Sequence, residues 1–522
     1  MMDAAISSAP PQHRLARIDT ALRARRTGEA LDAARALTAD APDMLDAWLA
    51  LARCHQMGGD HTAMRSALAR ALAIDPASPL ARLMDAEARV HQGQISEAAS
   101  AFSAMKADAA GDAAWLARIG EGLGQCARHE DAVTCLQAAL ALQPDTAAIR
   151  YSLATHLIAL GRLEDAETAF DTVIRQAPHD YDAYYNRSTL RRQTPARNHV
   201  AELQRMLRAP HRSATAPVQL NYALAKELED LGRDDESFAA LKQGADLRRQ
   251  QMRYDVRHDI DTMAAIARAF DTAWLDTAAP GIDVDGPVFV LGLPRSGTTL
   301  TDRILSAHSQ IESLGELNDV PLALTGLCRN TAGKSGLIEA AARLDPAELG
   351  QAYLDRVSGR RGAARFFIDK APANFLYIGL IAAALPRARI VHLRRDPMDN
   401  AYSLYKALFR MGYPYSYDFG DLAAYMRAKD RLMAHWQAVL PGRIIELRYE
   451  DIIADQDGET RRLLEAVGVG FEPACLDFHR NASPSATHSA AQVRQPLYAS
   501  SVGLWRRHER HLCELERALG AA

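Results

Sequence analysis

Cysteine is scarce in this chain: six residues (Cys54, Cys126, Cys135, Cys328, Cys475 and Cys513) are scattered over 522 positions without one C-x-x-C pair. That argues against a disulfide scaffold and against a cysteine zinc site, and no metal is expected. A reducing compartment, the cytoplasm, is the expectation. Excess charge is lacking too. The formal net charge is -4 on a chain with 24% charged residues, so nothing drives it generally toward nucleic acid or an anionic membrane, and any anion site must be local. Long apolar runs are also missing. Stretches such as Ile378 to Leu385 are too short to span a bilayer, and the start, Met-Met-Asp-Ala-Ala-Ile, has no basic segment followed by an apolar one. Neither an export signal nor a membrane anchor is expected. At 522 residues the chain exceeds one compact core, so two or three domains are expected.

The first half has almost nothing that reads as strand, but it has a period. Pro42, Pro76, Pro144 and Pro178 are spaced by 34, 68 and 34 residues, with the skipped rung at Ala110 beside Gly111. Gly59, Gly93 and Gly161 repeat the spacing, with Ala127 at the skipped rung. Small residues recur in phase (Ala52, Ala86, Gly120 and Ala154; Ala98, Ala132 and Ala166), and larger ones follow at Leu68, Phe102, Leu136 and Phe170. Small positions let two helices approach, and large ones fill the next groove, as in stacked helical hairpins. The 34-residue period and these phases resemble the tetratricopeptide family over about residues 14 to 178. Leu220 to Leu241, turning at Gly232, reads as one further, degenerate repeat. The resemblance implies an all-α solenoid whose concave face binds a peptide or protein partner. Trp48, Trp115, Tyr181, Tyr184 and Tyr185 either line that face or pack between repeats.

Composition shifts between residues 256 and 286, where Pro280-Gly281 and Gly286-Pro287 punctuate the chain. The expected domains are therefore 1–255, helical repeats; 256–286, a boundary linker; and 287–522, an α/β domain. The last opens with Val288 to Leu291, an apolar run, followed by Gly292-Leu-Pro-Arg-Ser-Gly-Thr-Thr299 and a helical pattern through Leu300, Ile304 and Leu305. A strand, a Gly-rich loop and a helix N-terminus together form a phosphate cradle. Against the P-loop pattern, Gly292, Gly297 and Thr299 fit, while Thr298 stands at the lysine position. Three further apolar runs read as buried strands: Arg365 to Ile368, Ala388 to Leu393 and Ile444 to Leu447. Alternation with helical stretches predicts a mainly parallel sheet flanked by helices, with ligands beyond the strand ends. Cations recur there: Arg295, Lys370, Arg395 and Arg448. Such a set suits a ligand with more than one phosphate or sulfate group.

Pro294-Arg-Ser-Gly-Thr-Thr299 resembles the 5′-phosphosulfate loop of sulfotransferases, and Arg395-Asp-Pro-Met-Asp-Asn-Ala-Tyr-Ser403 resembles their 3′-phosphate motif. The combination with repeats is similar to bacterial tetratricopeptide sulfotransferases and, in the C-terminal domain, to tyrosylprotein sulfotransferases. The resemblance implies 3′-phosphoadenosine 5′-phosphosulfate as donor, no metal, and a hydroxyl-bearing acceptor such as a peptide tyrosine, a saccharide or a small molecule. It implies donor contacts at Arg295, Ser296, Gly297, Thr298 and Thr299, then at Arg395 and Ser403, with Tyr449, Ser489 and Arg494 toward the nucleotide. Arg295 and the loop amides are the nearest candidates to neutralise the departing bridge oxygen, and Lys370 is implied to touch it. Glu316, in a Gly-Glu element, is implied as the base, with His308 the alternative. Trp505 reads as a core anchor. Two other readings stand beside this one: a P-loop nucleotide kinase or NTPase, disfavoured by Thr298, and a non-catalytic repeat scaffold.

Overall fold

The computed structural model describes residues 10–211, 213–329, 331–409, 412–481 and 492–520. The chain divides into two compact units, Met1–Ser152 and Leu153–Ala522. Among the described residues no helix is long and apolar enough to cross a membrane.

The first unit is built of helical hairpins: Pro11–Arg23 with Thr27–Asp40, Leu45–Gly58 with His61–Ile74, Pro79–His91 with Ile95–Met105, and Ala113–Gln125 with His129–Leu142. Each hairpin turns on one left-handed residue: Arg25 (φ 55°), Gly59 (73°), Gly93 (79°) and Ala127 (59°). The next residue then donates its N–H to the carbonyl five positions back: Arg26 to Ala21, Asp60 to His55, Gln94 to Arg89 and Arg128 to Leu123. These are Schellman closures. The backbone requires the left-handed residue, so the rung persists where the sequence supplies arginine or alanine in place of glycine. The small and large phases are buried as the periodicity predicts. Ala52, Ala86, Ala98 and Ala132 are fully buried, as are Leu68, Phe102 and Leu136. A Cβ on Gly120 would stand 3.0 Å from Leu136 Cγ, and one on Gly122 would meet the Phe102 ring at 2.3 Å. Trp48 and Trp115 are half-buried, and Trp48 Nε1 donates to Pro42 O at 2.7 Å.

The second unit holds a five-stranded sheet and helices from both halves of the chain. The elements that matter below are helices α1 (Tyr181–Thr189), α2 (Ala216–Asp230) and α3 (Asp234–Gln250), strand β1 (Pro287–Gly292), helix α4 (Thr298–Ser306), and strands β2 (Ile311–Ser313), β3 (Phe366–Lys370) and β4 (Arg389–Arg394). Helices α5 (Pro397–Tyr405) and α6 (Phe419–Val439) and strand β5 (Ile444–Arg448) complete the set. The strand order is β2-β3-β1-β4-β5, with every pairing parallel. Parallel strands are covered on both faces, so they read as unbroken apolar runs. Val288, Val290, Phe366, Ile368, Val391 and Leu393 are accordingly almost wholly buried beneath Leu300, Ile304 and Leu305.

Three details depart from the sequence expectation. Strand β2 was absent from it, because three residues at a sheet edge carry no readable alternation. The stretch 256–286, expected as a linker, contains helices Arg257–Ala269 and Thr272–Thr277; Met263, Ile266 and Phe270 are buried, and His435 Nε2 lies 3.0 Å from Phe270 O. The expected break near 255 also does not coincide with the division into units. Helices α2 and α3, the degenerate repeat turning at Gly232 (φ 74°), bond directly into the α/β domain: Tyr222 hydroxyl donates to Tyr405 O at 3.2 Å, and Arg249 pairs with Asp421 at 2.8 Å. Tyr181, Tyr184 and Tyr185 are buried here, so these three pack between elements. Tyr185 hydroxyl accepts the Leu408 N–H at 3.1 Å.

Candidate functional site

Strand β1 ends at Gly292, and the chain turns through Leu293 to Gly297 before α4 begins. The turn is pinned from inside: Ser296 Oγ donates to Leu293 O at 2.7 Å, and the buried Asn400 donates through Nδ2 to Pro294 O at 2.9 Å. Arg295 is held at φ 66° and Gly297 at φ 106°. A Cβ on Gly297 would stand 2.8 Å from the Tyr449 ring, so only glycine lets Tyr449 lie against the loop. The first turn of α4 then directs backbone donors and the positive end of the helix dipole at one point.

That point opens into a cavity of about 620 Å³. Its lining carries seven cationic side chains (Arg191, Arg192, Lys226, Arg295, Arg395, Lys406 and Arg507) against four acidic ones (Glu229, Glu316, Asp230 and Asp399). A chain with net charge -4 thus concentrates positive charge locally, as a strong anion site in a mildly acidic protein demands.

At the loop end, Arg295 Nε donates to Ser403 Oγ at 3.2 Å. Arg395 donates to Arg295 O at 3.0 Å and to Ser501 O at 2.7 Å, with its guanidinium 4.7 Å above the Tyr449 ring. Tyr449 and Ser501 share a hydroxyl bond of 2.7 Å. Burial, and then the neighbouring Arg395, press the Arg295 pKa below its ordinary value. Arg395 Nε is buried without a partner. Two guanidinium groups crowded together with a donor unspent fit a bound phosphate or sulfate group, which would relieve both penalties.

Toward the β2 and β3 ends lies a second cluster. The turn after β2 runs beside β3, with Leu314 N–H donating to Ile368 O and Lys370 N–H to Gly315 O, both at 3.0 Å. This brings Glu316, half-exposed on the cavity wall, onto the buried Lys370 ammonium, and the two are ion-paired. Two further carboxyls sit behind them. Asp302 on α4 is buried with Oδ1 unpartnered; burial raises its pKa, while Lys370 and a hydrogen bond from Ser313 pull the other way. Asp369 accepts from Tyr353 hydroxyl at 3.1 Å and from Asn374 Nδ2 at 3.2 Å, and burial pushes its pKa up to about 8. Tyr413 lines the cavity near Glu316 at φ 54°, and burial together with the Glu316 charge pushes its pKa up to about 12. Sequence reasoning missed Asp302, because a helix buried on every side gives no single apolar face against which a buried acid would stand out.

The structure gathers Arg295, Gly297, Thr298, Thr299, Arg395, Ser403, Tyr449 and Glu316 on one cavity, with Lys370 against Glu316. Other candidates lie elsewhere. The Ser296 hydroxyl is spent inside the loop. His308 follows the far end of α4, roughly 13 Å along the axis from the loop at 1.5 Å per residue. Its Nε2 faces Gly470 O at 2.9 Å and its Nδ1 accepts the Gln310 N–H at 3.0 Å, so it is not positioned as the alternative base. Arg494 donates to Ala159 O at 2.9 Å and packs on Gly161, away from the cavity lining. Arg448 faces a separate cavity of about 240 Å³ with Arg394. Ser489 lies outside the described residues. Trp505 is half-buried, its N–H 3.5 Å from Asp399 Oδ1.

The helix carrying Ser403 is held from the repeat side. Glu229 on α2 accepts from Tyr402 hydroxyl at 2.6 Å and from Lys406 Nζ at 2.7 Å. Burial works to raise the Glu229 pKa, but Lys406, His508 and Tyr402 together hold it well below the usual carboxylate range.

Comparison with known proteins follows the same division. Residues 287–473 match the sulfotransferase family, and residues 15–79, 123–181 and 151–196 match the tetratricopeptide repeat. A protein of Aquifex aeolicus (strain VF5), described as uncharacterized, is 30% identical over 370 residues, covering 68% of this chain and 48% of its own length. The omega-hydroxy-beta-dihydromenaquinone-9 sulfotransferase Stf3 of Mycobacterium tuberculosis (strain CDC 1551 / Oshkosh) is 32% identical over 111 residues, 20% of this chain and 29% of its own. A putative protein-tyrosine sulfotransferase of Caenorhabditis briggsae is 23% identical over 227 residues, 42% of this chain and 80% of its own. The chain thus spans about half, or less, of the length of the first two of these relatives. Among solved structures, the sulfotransferase domain from the Synechococcus PCC 7002 olefin synthase is 19% identical with a TM-score of 0.30, covering 44% of this chain and 96% of that one.

Proposed function

We propose, from a chain in which tetratricopeptide repeats precede a sulfotransferase-family domain, that it is a sulfotransferase using 3′-phosphoadenosine 5′-phosphosulfate and a hydroxyl acceptor. The observation that carries this reading is one cavity with two differently built ends. Arg295, Arg395 and Ser403 crowd around a helix N-terminus at one end, and the Lys370–Glu316 ion pair stands at the other.

When bound, the donor supplies an activated sulfuryl group. The loop amides at Gly297 to Thr299, with the threonine hydroxyls and Arg295, hold its 5′ side. Arg395 and Ser403 hold its 3′-phosphate, and Tyr449 packs beneath Arg395. Lys370 carries a fixed positive charge that offsets negative charge developing on a leaving oxygen. Glu316, on the exposed side of the pair, accepts the acceptor's hydroxyl proton. Asp302 is buried within electrostatic reach of Lys370. The relatives' names describe action on protein tyrosine and on an omega-hydroxylated menaquinone, and both are hydroxyl acceptors. The repeats present a surface for a peptide or protein.

Thermal shift tests the reading. Adenosine 3′,5′-bisphosphate should stabilise the protein without magnesium, and labelled sulfate should pass from the donor to a hydroxyl compound in a host lysate. Stabilisation by Mg-ATP alone would sink it.

A further inference from the structure

The cavity wall opposite the Gly-rich loop is not made by the sulfotransferase-family domain. It is made by the end of the repeats: Thr189 at the end of α1, Leu190, Arg191 and Arg192 just after it, and Lys226, Glu229 and Asp230 on α2. Three cations and two acids meet there, and their pairings differ. Lys226 is bonded to Asp230 at 2.7 Å and to the Arg191 carbonyl, and Asp230 also accepts the Gln193 N–H at 2.7 Å. Glu229 is occupied by Tyr402 and Lys406. Arg191 places Nε on Glu167 at 3.0 Å and Nη1 on Arg197 O at 3.1 Å, while Arg197 also pairs with Glu167.

Every acid on this wall is therefore spent, whereas one donor of Arg191 and the whole Arg192 side chain are not. Arg191 Nη2 is buried with no partner, although a buried guanidinium donor left unpaired is destabilising. The Arg192 side chain is exposed on the cavity rim and has no hydrogen bond or ion pair among the described residues. Position along the cavity limits what they meet. One helical turn from Lys226, Glu229 grips Tyr402 and Lys406, which flank Ser403 on α5. The repeat wall thus lies against the helix that carries Ser403.

We infer that the last repeat completes the donor site, with Arg192 and Arg191 Nη2 contributing charge to a phosphate held at the Arg395–Ser403 end. This rests on the proposed sulfotransferase reading, in which that phosphate is the donor's 3′-phosphate. The repeats would then belong to the nucleotide site itself as well as serving a partner.

The test is isothermal titration of the full chain with adenosine 3′,5′-bisphosphate and with adenosine 5′-monophosphate. Arg192 is exposed, so Arg192→Ala leaves the fold intact. Its affinity for the bisphosphate should fall about tenfold, within the range for one charge-assisted contact, while affinity for the monophosphate stays within about twofold. Arg192→Glu should weaken bisphosphate binding further. Unchanged bisphosphate affinity in both variants overturns the inference, as does an equal loss for both nucleotides. If the wild-type chain binds neither nucleotide, the sulfotransferase reading has failed and takes this one with it; wild-type binding with no effect at Arg192 isolates the failure here.

Discussion

The Lys370 ammonium, almost wholly buried, is ion-paired to a carboxylate on Glu316 that is half-exposed to the cavity. One partner is fixed by the sheet and the other faces the ligand, so the pair divides two tasks. Glu316→Gln should leave adenosine 3′,5′-bisphosphate affinity within about twofold and lower turnover by roughly 10²–10⁴, the range for a lost general base. Stopped-flow or steady-state sulfate transfer checks it; normal turnover would remove Glu316 from the role.

Lys370 has a second carboxyl within electrostatic reach, the buried Asp302. Lys370→Met should therefore lower stability by about 1–3 kcal/mol, because it removes the ammonium whose charge partly offsets the desolvation of the buried Asp302 carboxyl. Adding Asp302→Asn should recover part of that loss in urea unfolding. If the two losses simply add, the groups are not coupled.

Asp369 predicts a pH dependence. Its folded pKa, raised by burial to about 8 from an ordinary 3.8, means that the folded chain keeps a proton the unfolded chain releases. Stability contributed this way is full below about pH 4 and is lost as pH rises toward 8. Below about pH 6.5, His392 works in the opposite direction, since burial and Lys429 press its pKa to about 4. The clean window is thus about pH 6.5 to 8. Melting temperature should fall across it in the wild type and fall less in Asp369→Asn; parallel slopes would show that Asp369 is ionised when folded.

Gly297→Ala should abolish nucleotide binding. The added Cβ meets the Tyr449 ring at 2.8 Å, and the backbone stands at φ 106°. Combining it with Tyr449→Ala removes the clash and leaves the backbone strain, so bisphosphate titration should show at most partial recovery.

In the first unit, Ala127 occupies a left-handed rung that Gly59 and Gly93 fill elsewhere. Ala127→Gly should raise stability by about 0.5–1 kcal/mol, the left-handed strain relieved less the backbone entropy of glycine. Urea unfolding checks the sign, and destabilisation would mean that the alanine methyl is worth more in packing than its strain costs.

The ladder of repeats was legible because helical packing enforces small and large residues at fixed phases. Arg25 escaped notice, since arginine gives no turn signal and only the backbone closure reveals its rung. The Gly-rich loop, the cations at strand ends and the Arg395 to Ser403 spacing were also readable, because a tight turn and anion contacts constrain residue type. Asp302 was hidden because α4 is buried on every side, and a periodic pattern reports only one apolar face. His308 misled for a geometric reason: nearness in sequence to the loop places it beyond the opposite end of a nine-residue helix. The Arg191–Arg192 wall lay beyond sequence reasoning, since it depends on a contact between segments some two hundred positions apart.

The grip of Glu229 on Tyr402 and Lys406, with the Tyr222 bond to Tyr405, has a consequence for ancestry. A cut at the shift in composition near residue 256 would strip the Ser403 helix of its anchors. The last repeat therefore cannot be traded as a cassette. A swap of repeats would have to carry Ala216–Asp230 and Asp234–Gln250 along with the α/β domain.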